Sequence, residues 1–146
     1  MAEAWGRIRL EVVTPERLVI SEEVDEVTAP GALGEFGVLP GHTPFLTTLG
    51  VGQLAYRIGT QWYYLVITWG YAEVTPHKVT MLAQTAEMAE EIDIERAERA
   101  KRRAEERVTE WSTRGADIDF DRASIALQRA LSRLGVAAKR RARPTP

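Results

Sequence analysis

The chain has 146 residues, a length that suits one domain or two small ones. Apolar residues make up 45% and charged residues 27%, a globular composition that excludes wholesale disorder. No run approaches the roughly 18 apolar residues of a transmembrane helix, and the N-terminus lacks the apolar core of a secretory signal, so we expect a cytoplasmic protein. The lack of cysteine excludes disulfides and thiolate chemistry, and 2 histidines are too few for most catalytic metal sites.

Charge and breaker residues divide the chain into two unlike parts. Residues 1–86 contain 5 Lys or Arg against 9 Asp or Glu, whereas residues 87–146 contain 14 against 12. Proline is absent from Glu87 until Pro144. Because proline and glycine are the strongest local breakers of regular structure, this difference predicts one domain over residues 1–87 and a second over residues 88–146.

The first part has the pattern of short strands. Residues 7–12 alternate polar and apolar side chains, as a half-buried strand does. Further strands are expected at residues 18–20, 24–29, 53–58, 62–68, 71–75 and 78–83, with breaks at residues 50–52 and at Trp69 and Gly70. The glycines of residues 31–37 are interpreted as tight bends. Many short strands at this spacing predict a β-sandwich or barrel.

The second part has the pattern of an antiparallel helical hairpin. Asp93 is placed to cap a first helix, Gly115 suits its end, and Asp117 or Asp119 suits the start of a second helix. The positions that recur at steps of three and four are Ile94, Ala97, Lys101, Ala104, Val108 and Trp111, then Phe120, Ala123, Leu127, Ala130, Leu134 and Ala137. Because each alanine buries one methyl, about 0.8 kcal/mol, the sequence is consistent with a detachable regulatory hairpin or with an ordinary helical appendage.

Basic residues of the second part are the candidate binding groups. Arg129 and Arg133 are four residues apart and share a helix face, and arginines from both helices could converge on a phosphate. Pairing between Glu and Arg within each helix is the simpler explanation. From Arg122 onward there are 7 Lys or Arg and no acidic residue. The basic tail, residues 139–143, favours an acidic partner or is simply solvated.

Motifs of enzymes are not found. The glycines of residues 31–37 lack the Gly-Lys-Ser/Thr ending that holds phosphate and magnesium in a P-loop. His42 lies in an expected turn, with no nearby Ser and Asp at the spacing of a triad. The sequence therefore predicts a protein that is not an enzyme.

Three segments together resemble one family. Residues 34–44, GEFGVLPGHTP, residues 69–74, WGYAEV, and residues 117–130 resemble the epsilon subunit of bacterial F-type ATP synthases, and the resemblance spans nearly the whole chain. It implies an α+β fold, with an antiparallel β-sandwich over residues 1–87 and two antiparallel α-helices over residues 88–146. Trp69 departs from the small residue that the family often has there.

The resemblance also implies a function. The family is a non-catalytic rotor subunit that needs no cofactor and lies at the cytoplasmic face of the cell membrane without inserting into it. Its sandwich binds the gamma subunit and the c-ring, with Glu35 expected to face the ring and His42 to lie near gamma. Its hairpin is regulatory: extended, it reaches the beta and alpha subunits and blocks ATP hydrolysis.

A nucleotide signature completes the resemblance. Residues 92–97, with Ile92, Asp93, Arg96 and Ala97, are similar to the ATP-binding motif of some family members. The other positions that match this ATP site are Glu87, Arg103, Arg129 and Arg133. ATP is therefore expected as a regulatory ligand of the folded hairpin.

An alternative from another class is a nucleic-acid-binding module that uses the basic hairpin and tail. Such a module binds with steep salt dependence.

Overall fold

A computed structural model describes residues 5–114, except the side chain of Arg114, and residues 119–140. The chain separates into two compact units, Met1–Met88 and Ala89–Pro146. The first consists of strands and the second of helices.

The described residues of the first unit form one continuous sheet of seven strands. The strands are β1 (Ile8–Val13), β2 (Leu18–Val24), β3 (Glu26–Gly31), β4 (Gly34–Val38), β5 (Phe45–Ile58), β6 (Gln61–Val74) and β7 (Lys78–Met88). Their order in the sheet is β2-β1-β7-β6-β5-β3-β4. Neighbouring strands are antiparallel except β1 and β7, which are parallel.

Two of the expected strand breaks are wrong, and one strand was not predicted. β5 continues through residues 50–52, and β6 continues through Trp69 and Gly70, so that it joins two expected strands. The unpredicted strand is β4, because Gly34 and Gly37 interrupt the alternation of side chains on which the prediction relies. The tight bend expected in that region lies at Ala32 and Leu33.

A shared bend crosses the three long strands. In β6, Leu65 and Ile67 face the core and so do Ala72 and Val74, so the inward alternation shifts by one residue at Trp69 and Gly70. The neighbouring strands shift at the residues opposite, between Leu49 and Leu54 in β5 and between Ala83 and Ala86 in β7. We call this bend the fold line; because the sheet turns over on itself there, it forms the two layers of a sandwich.

The fold line depends on a close backbone approach at Gly70. A Cβ atom at this position would lie 1.8 Å from the carbonyl oxygen of Leu82, and the φ angle of Gly70 is 139°. Trp69 beside it has a φ of 48°, a left-handed conformation that non-glycine residues seldom adopt. Backbone strain and absence of a side chain are therefore concentrated at one point of β6.

Residues from all seven strands form a single core. The largest fully buried side chains belong to Ile8, Leu10, Leu54, Leu65, Ile67 and Met81. The core cluster extends from Ile8 to Ala86 and thus lies within the first unit. A unit with a core of its own is expected to fold by itself.

An ionic cluster fastens the bend between β2 and β3 to the hairpin between β5 and β6. The Asp25 carboxylate accepts hydrogen bonds from the Gly59 amide at 2.6 Å and from Arg7 Nε at 3.1 Å. The hydrogen bond from the Gly59 amide is the main reason why the pKa of Asp25 lies below its ordinary value of 3.8, and the hydrogen bond and positive charge of Arg7 lower this pKa further. Arg57 pairs with Glu26 nearby, with 3.3 Å between Nε and Oε2.

The second unit is an antiparallel pair of helices, as expected. A short 3₁₀ helix (Ala89–Glu91) precedes α1 (Ile94–Arg114), and α2 spans Phe120–Ala137. Both predicted caps that lie in the described residues are confirmed: Asp93 Oδ1 accepts from the Arg96 amide at 3.0 Å, and Asp119 Oδ1 from the Arg122 amide at 3.1 Å. The helix end expected at Gly115 and the alternative cap Asp117 lie outside the described residues.

Alanine dominates the buried seam of the hairpin. The buried seam residues are Ala97 and Ala104 on α1 and Ala123, Ala130 and Ala137 on α2. Leu127 and Leu134 are half-buried, whereas Trp111 and Phe120 are partly exposed near the loop. Over the described stretches of chain, neither helix combines the length and apolar character needed to cross a bilayer.

We expect Gly70→Ala to destabilise the first unit strongly, because the new methyl meets the Leu82 carbonyl in addition to the unfavourable φ. Gly34→Ala is the matched control: its φ is 127°, but the space around it is open. Backbone strain alone costs of order 1–3 kcal/mol. Denaturant unfolding should therefore show that Gly34→Ala lowers the free energy of unfolding by an amount in this range, and that Gly70→Ala lowers it clearly more. Equal losses would contradict the close approach.

Candidate functional site

Six arginines from the two helices lie along one side of the hairpin. Each of them directly precedes a buried or half-buried seam residue, as Arg103 precedes Ala104 and Arg129 precedes Ala130. Consecutive residues of a helix are rotated by about 100° about its axis. In a pair of antiparallel helices, the residues that directly precede the seam positions of each helix therefore point to the same side of the pair. We call this the arginine side; its members are Arg96, Arg103, Arg107, Arg122, Arg129 and Arg133.

Contacts at both ends of the hairpin show which residues of α1 lie opposite which residues of α2. Near the loop, the rings of Trp111 and Phe120 lie 4.4 Å apart. At the other end, Arg140 Nε donates to the Ala89 carbonyl at 2.7 Å. With about 1.5 Å of rise per residue, this register puts Arg103 level with Arg129 to within one or two residues.

The same register puts Arg96 near the level of Arg133. The structure thus brings the four predicted arginines to one side of the hairpin, in two pairs that each combine both helices. Guanidinium groups grouped in this way suit an anion with several oxygens, because each guanidinium offers a planar fork of donors.

Two acidic residues of α1 lie on the opposite side. Glu98 and Glu105 directly follow Ala97 and Ala104, so the same rotation takes them away from the arginines. Glu105 Oε1 lies 3.9 Å from Lys101 Nζ one turn earlier. Positive charge is therefore gathered on the side of the predicted ATP site, and Glu110, which directly precedes Trp111, adds one negative charge to that side near the other end of α1.

The signature residues have separate positions. Ile92 and Ala97 are buried, so their side chains serve packing. Asp93 is exposed and already uses one carboxylate oxygen as the cap of α1. Glu87 lies in the first unit, on β7 opposite Val66, and is half-buried.

The first unit has a row of exposed apolar side chains that the sequence did not predict. Leu18 pairs with Val13, Val13 with Leu82, and Leu82 with Tyr71 across four adjacent strands. Leu18, Leu82 and Tyr71 are each more than half exposed. Val13 between them is half-buried, and we call these four residues the apolar row. Such patches mark surfaces that bind other proteins, and no local pattern could reveal this one because its members are distant in sequence.

Glu35 lies on the edge strand β4, and His42 follows that strand in the chain. Glu35 is exposed and opposite Pro30. The His42 amide donates to the Leu39 carbonyl at 3.1 Å, its Nδ1 lies 2.6 Å from the Thr43 carbonyl, and its ring lies 6.2 Å from that of Phe45. The expected turn at His42 is therefore present, and exposed Leu39 and Leu46 lie nearby in sequence.

Comparison with known proteins gives matches over both units. Residues 7–89 match the family model of the ATP synthase delta/epsilon chain β-sandwich domain, and residues 90–138 match that of its long α-helix domain. The chain is 56% identical over 133 residues to the ATP synthase epsilon chain of Syntrophobacter fumaroxidans, covering 91% of this chain and 97% of that one. It is 51% identical over 133 residues to ATP synthase epsilon chain 2 of Syntrophotalea carbinolica, covering 91% and 95%.

Solved structures are similar as well. A chain in the mitochondrial ATP synthase of Euglena gracilis, a structure of OSCP, F1 and c-ring, has a TM-score of 0.74 at 26% identity, covering 86% of this chain and 78% of that one. A chain of the central stalk and c-ring of the Tetrahymena thermophila enzyme has the same fold, with a TM-score of 0.51 at 13% identity and coverage of 94% and 98%. The predicted fold class is confirmed, and the chain belongs to the ATP synthase delta/epsilon family, as an epsilon subunit of the F1 central stalk.

Proposed function

We propose that this non-catalytic subunit couples rotation of a proton-driven c-ring to the catalytic head and also acts as a brake on ATP hydrolysis. The observation that carries the brake is the alanine seam of the hairpin. Alanine methyls contribute little burial energy, and both helices have capped starts and strong helix formers of their own. The helices can therefore separate while each stays helical.

The first unit supplies the docking surfaces in this proposal. The apolar row meets the gamma subunit, because burying exposed Leu18, Leu82 and Tyr71 removes apolar surface from water. Exposed Glu35 on β4 faces the polar loops of the c-ring, and His42 lies at the border with gamma. Through these contacts the subunit sits at the cytoplasmic face of the membrane without entering it.

The second unit supplies regulation. When extended, the hairpin reaches the beta and alpha subunits, and its basic second helix meets acidic surface there by charge complementarity. When folded, it brings the arginines of α1 and α2 to one side. ATP that binds the folded state alone shifts the equilibrium toward it. Plentiful ATP thus releases the brake, and scarce ATP applies it.

The ATP site in this proposal is the one predicted from the signature. Arg96, Arg103, Arg129 and Arg133 bind the phosphates, while Asp93 accepts a hydrogen bond from the base or ribose with the carboxylate oxygen that does not cap α1. Ile92 and Ala97 shape the start of the helix, and Glu87 is the remaining residue that matches the ATP site of the family.

The apolar row predicts a specific loss of gamma binding. Tyr71→Ser combined with Leu82→Ser should weaken binding to the isolated gamma subunit at least about tenfold, since central apolar contacts dominate interfaces. Leu33→Ser is the control, because Leu33 is fully exposed in the turn between β3 and β4, away from the row. Equal affinities of the double variant and the natural chain, in surface plasmon resonance, would place gamma elsewhere.

Removal of the hairpin tests the brake. A chain that ends at Met88 keeps the whole sandwich core, so it should still assemble. We expect F1 assembled with it to hydrolyse ATP several-fold faster at low ATP than F1 with the full chain. Retention of the truncated chain in the complex is checked by gel electrophoresis. Unaltered hydrolysis with the chain retained would leave the hairpin without a braking role.

Calorimetric titration of the full chain tests the nucleotide site. Arg103→Ala and Arg129→Ala should each weaken ATP binding about tenfold or more, as expected for a charge-assisted hydrogen bond. Arg102→Ala removes the same charge from α1 outside the arginine side and should leave binding unchanged. Asp93→Ser keeps a residue that can cap α1. Weaker ATP binding by this variant would therefore come from loss of the carboxylate and not from loss of the cap.

The nucleotide proposal fails if ATP gives no heat, or if Arg102→Ala weakens binding as much as Arg103→Ala does. Binding of DNA or RNA with steep salt dependence, in place of ATP, would instead favour the nucleic-acid alternative.

A further inference from the structure

We propose that Arg140 is a clasp that holds the hairpin folded when no nucleotide is bound; its regulatory meaning rests on the proposed function. Arg140 is not one of the residues that match the ATP site. Its guanidinium group donates from Nε to the Ala89 carbonyl, at 2.7 Å, and from Nη2 to the Ile92 carbonyl. It therefore ties the end of α2 to the segment in which α1 begins.

The clasp has rigid support on the side of α2. Beyond the last helical residue the backbone keeps hydrogen bonding, from the Ala138 amide to the Leu134 carbonyl at 3.0 Å and from the Arg140 amide to the Ala137 carbonyl at 3.1 Å. The backbone of Arg140 is thus anchored to the helix end. Only the side chain has to be ordered to make the two bonds.

The acceptors are equally well placed. Ala89 and Ile92 are buried residues, so their carbonyl groups have limited access to water. The α1 ladder begins one residue later, where the Ala97 amide donates to the Asp93 carbonyl at 3.0 Å. The planar fork of arginine suits two acceptors at once, whereas a lysine ammonium is a single compact charge.

Contacts at the two ends therefore hold the hairpin more firmly than its middle does. The aromatic pair of Trp111 and Phe120 closes the loop end, and the Arg140 clasp closes the other, with small alanines between them. For α2 to leave α1, the clasp must open. Because one of its acceptors, Ile92, directly precedes Asp93, the clasp also fixes the segment that begins the nucleotide signature.

Distances within the nucleotide-free full chain test the clasp. The chain contains no cysteine, so Glu98→Cys and Leu131→Cys place one spin label on each helix without background. Both residues are exposed and directly follow a buried alanine, on the side away from the arginines. Double electron–electron resonance then separates folded from extended hairpins.

We expect Arg140→Gln to raise the ratio of extended to folded molecules about tenfold or more, the effect of losing charge-assisted hydrogen bonds. Arg140→Lys should give an intermediate ratio. Arg122→Gln, which removes the same charge from the start of α2, should leave the ratio unchanged. Circular dichroism checks that α2 stays helical; if Arg140→Gln lost helix, the comparison of Arg140→Lys with Arg122→Gln would decide.

An unchanged distance distribution in Arg140→Gln, or an equal shift in Arg122→Gln, would overturn the clasp. These readouts need neither ATP nor the assembled enzyme. A failure of the clasp is therefore distinct from a failure of the proposed brake or ATP site, which calorimetry and hydrolysis rates report.

Discussion

The close approach between Gly70 and the Leu82 carbonyl is the contact on which the first unit depends. It allows β5, β6 and β7 to change face together, so that a single sheet supplies both layers around one core. Without this bend, the inward residues before and after it would lie on opposite sides of a flat sheet. The apolar row crosses β6 beside the fold line, at Tyr71, so the same bend also sets the surface that we assign to the gamma subunit.

The second unit is governed by a different constraint, the small size of its seam residues. Alanines let the helices pack closely while contributing little burial energy, and the polar arrangement follows from the same spacing. Six of the seam positions are directly preceded by an arginine, and Ala97 and Ala104 are directly followed by a glutamate, so that the arginines gather on one side of the hairpin. Weak association and gathered charge together are what a ligand-controlled hairpin requires.

Local chemistry explains which features could be predicted. Asp93 and Asp119 were identifiable as caps because a capping side chain bonds to an amide three residues away, and the alanine seam because helical spacing is regular. The continuity of β5 and β6 could not be predicted from the sequence, because a glycine that bends a strand gives the same sequence pattern as a glycine that ends one. The apolar row and the Arg140 clasp join residues distant in sequence, so only the folded chain brings them together.

The parallel pairing of β1 with β7 has a consequence for synthesis of the protein. Arg9 on β1 lies opposite Lys78 on β7. β1 leaves the ribosome before the other strands, and it can pair with β7 only after β7 has been synthesised. Pairing of such high sequence separation forms slowly, and until then β1 exposes an unpaired edge. The helical segment emerges later and consists of local contacts that form quickly. During translation, the helical hairpin is thus expected to fold almost as soon as synthesis of the first unit is complete.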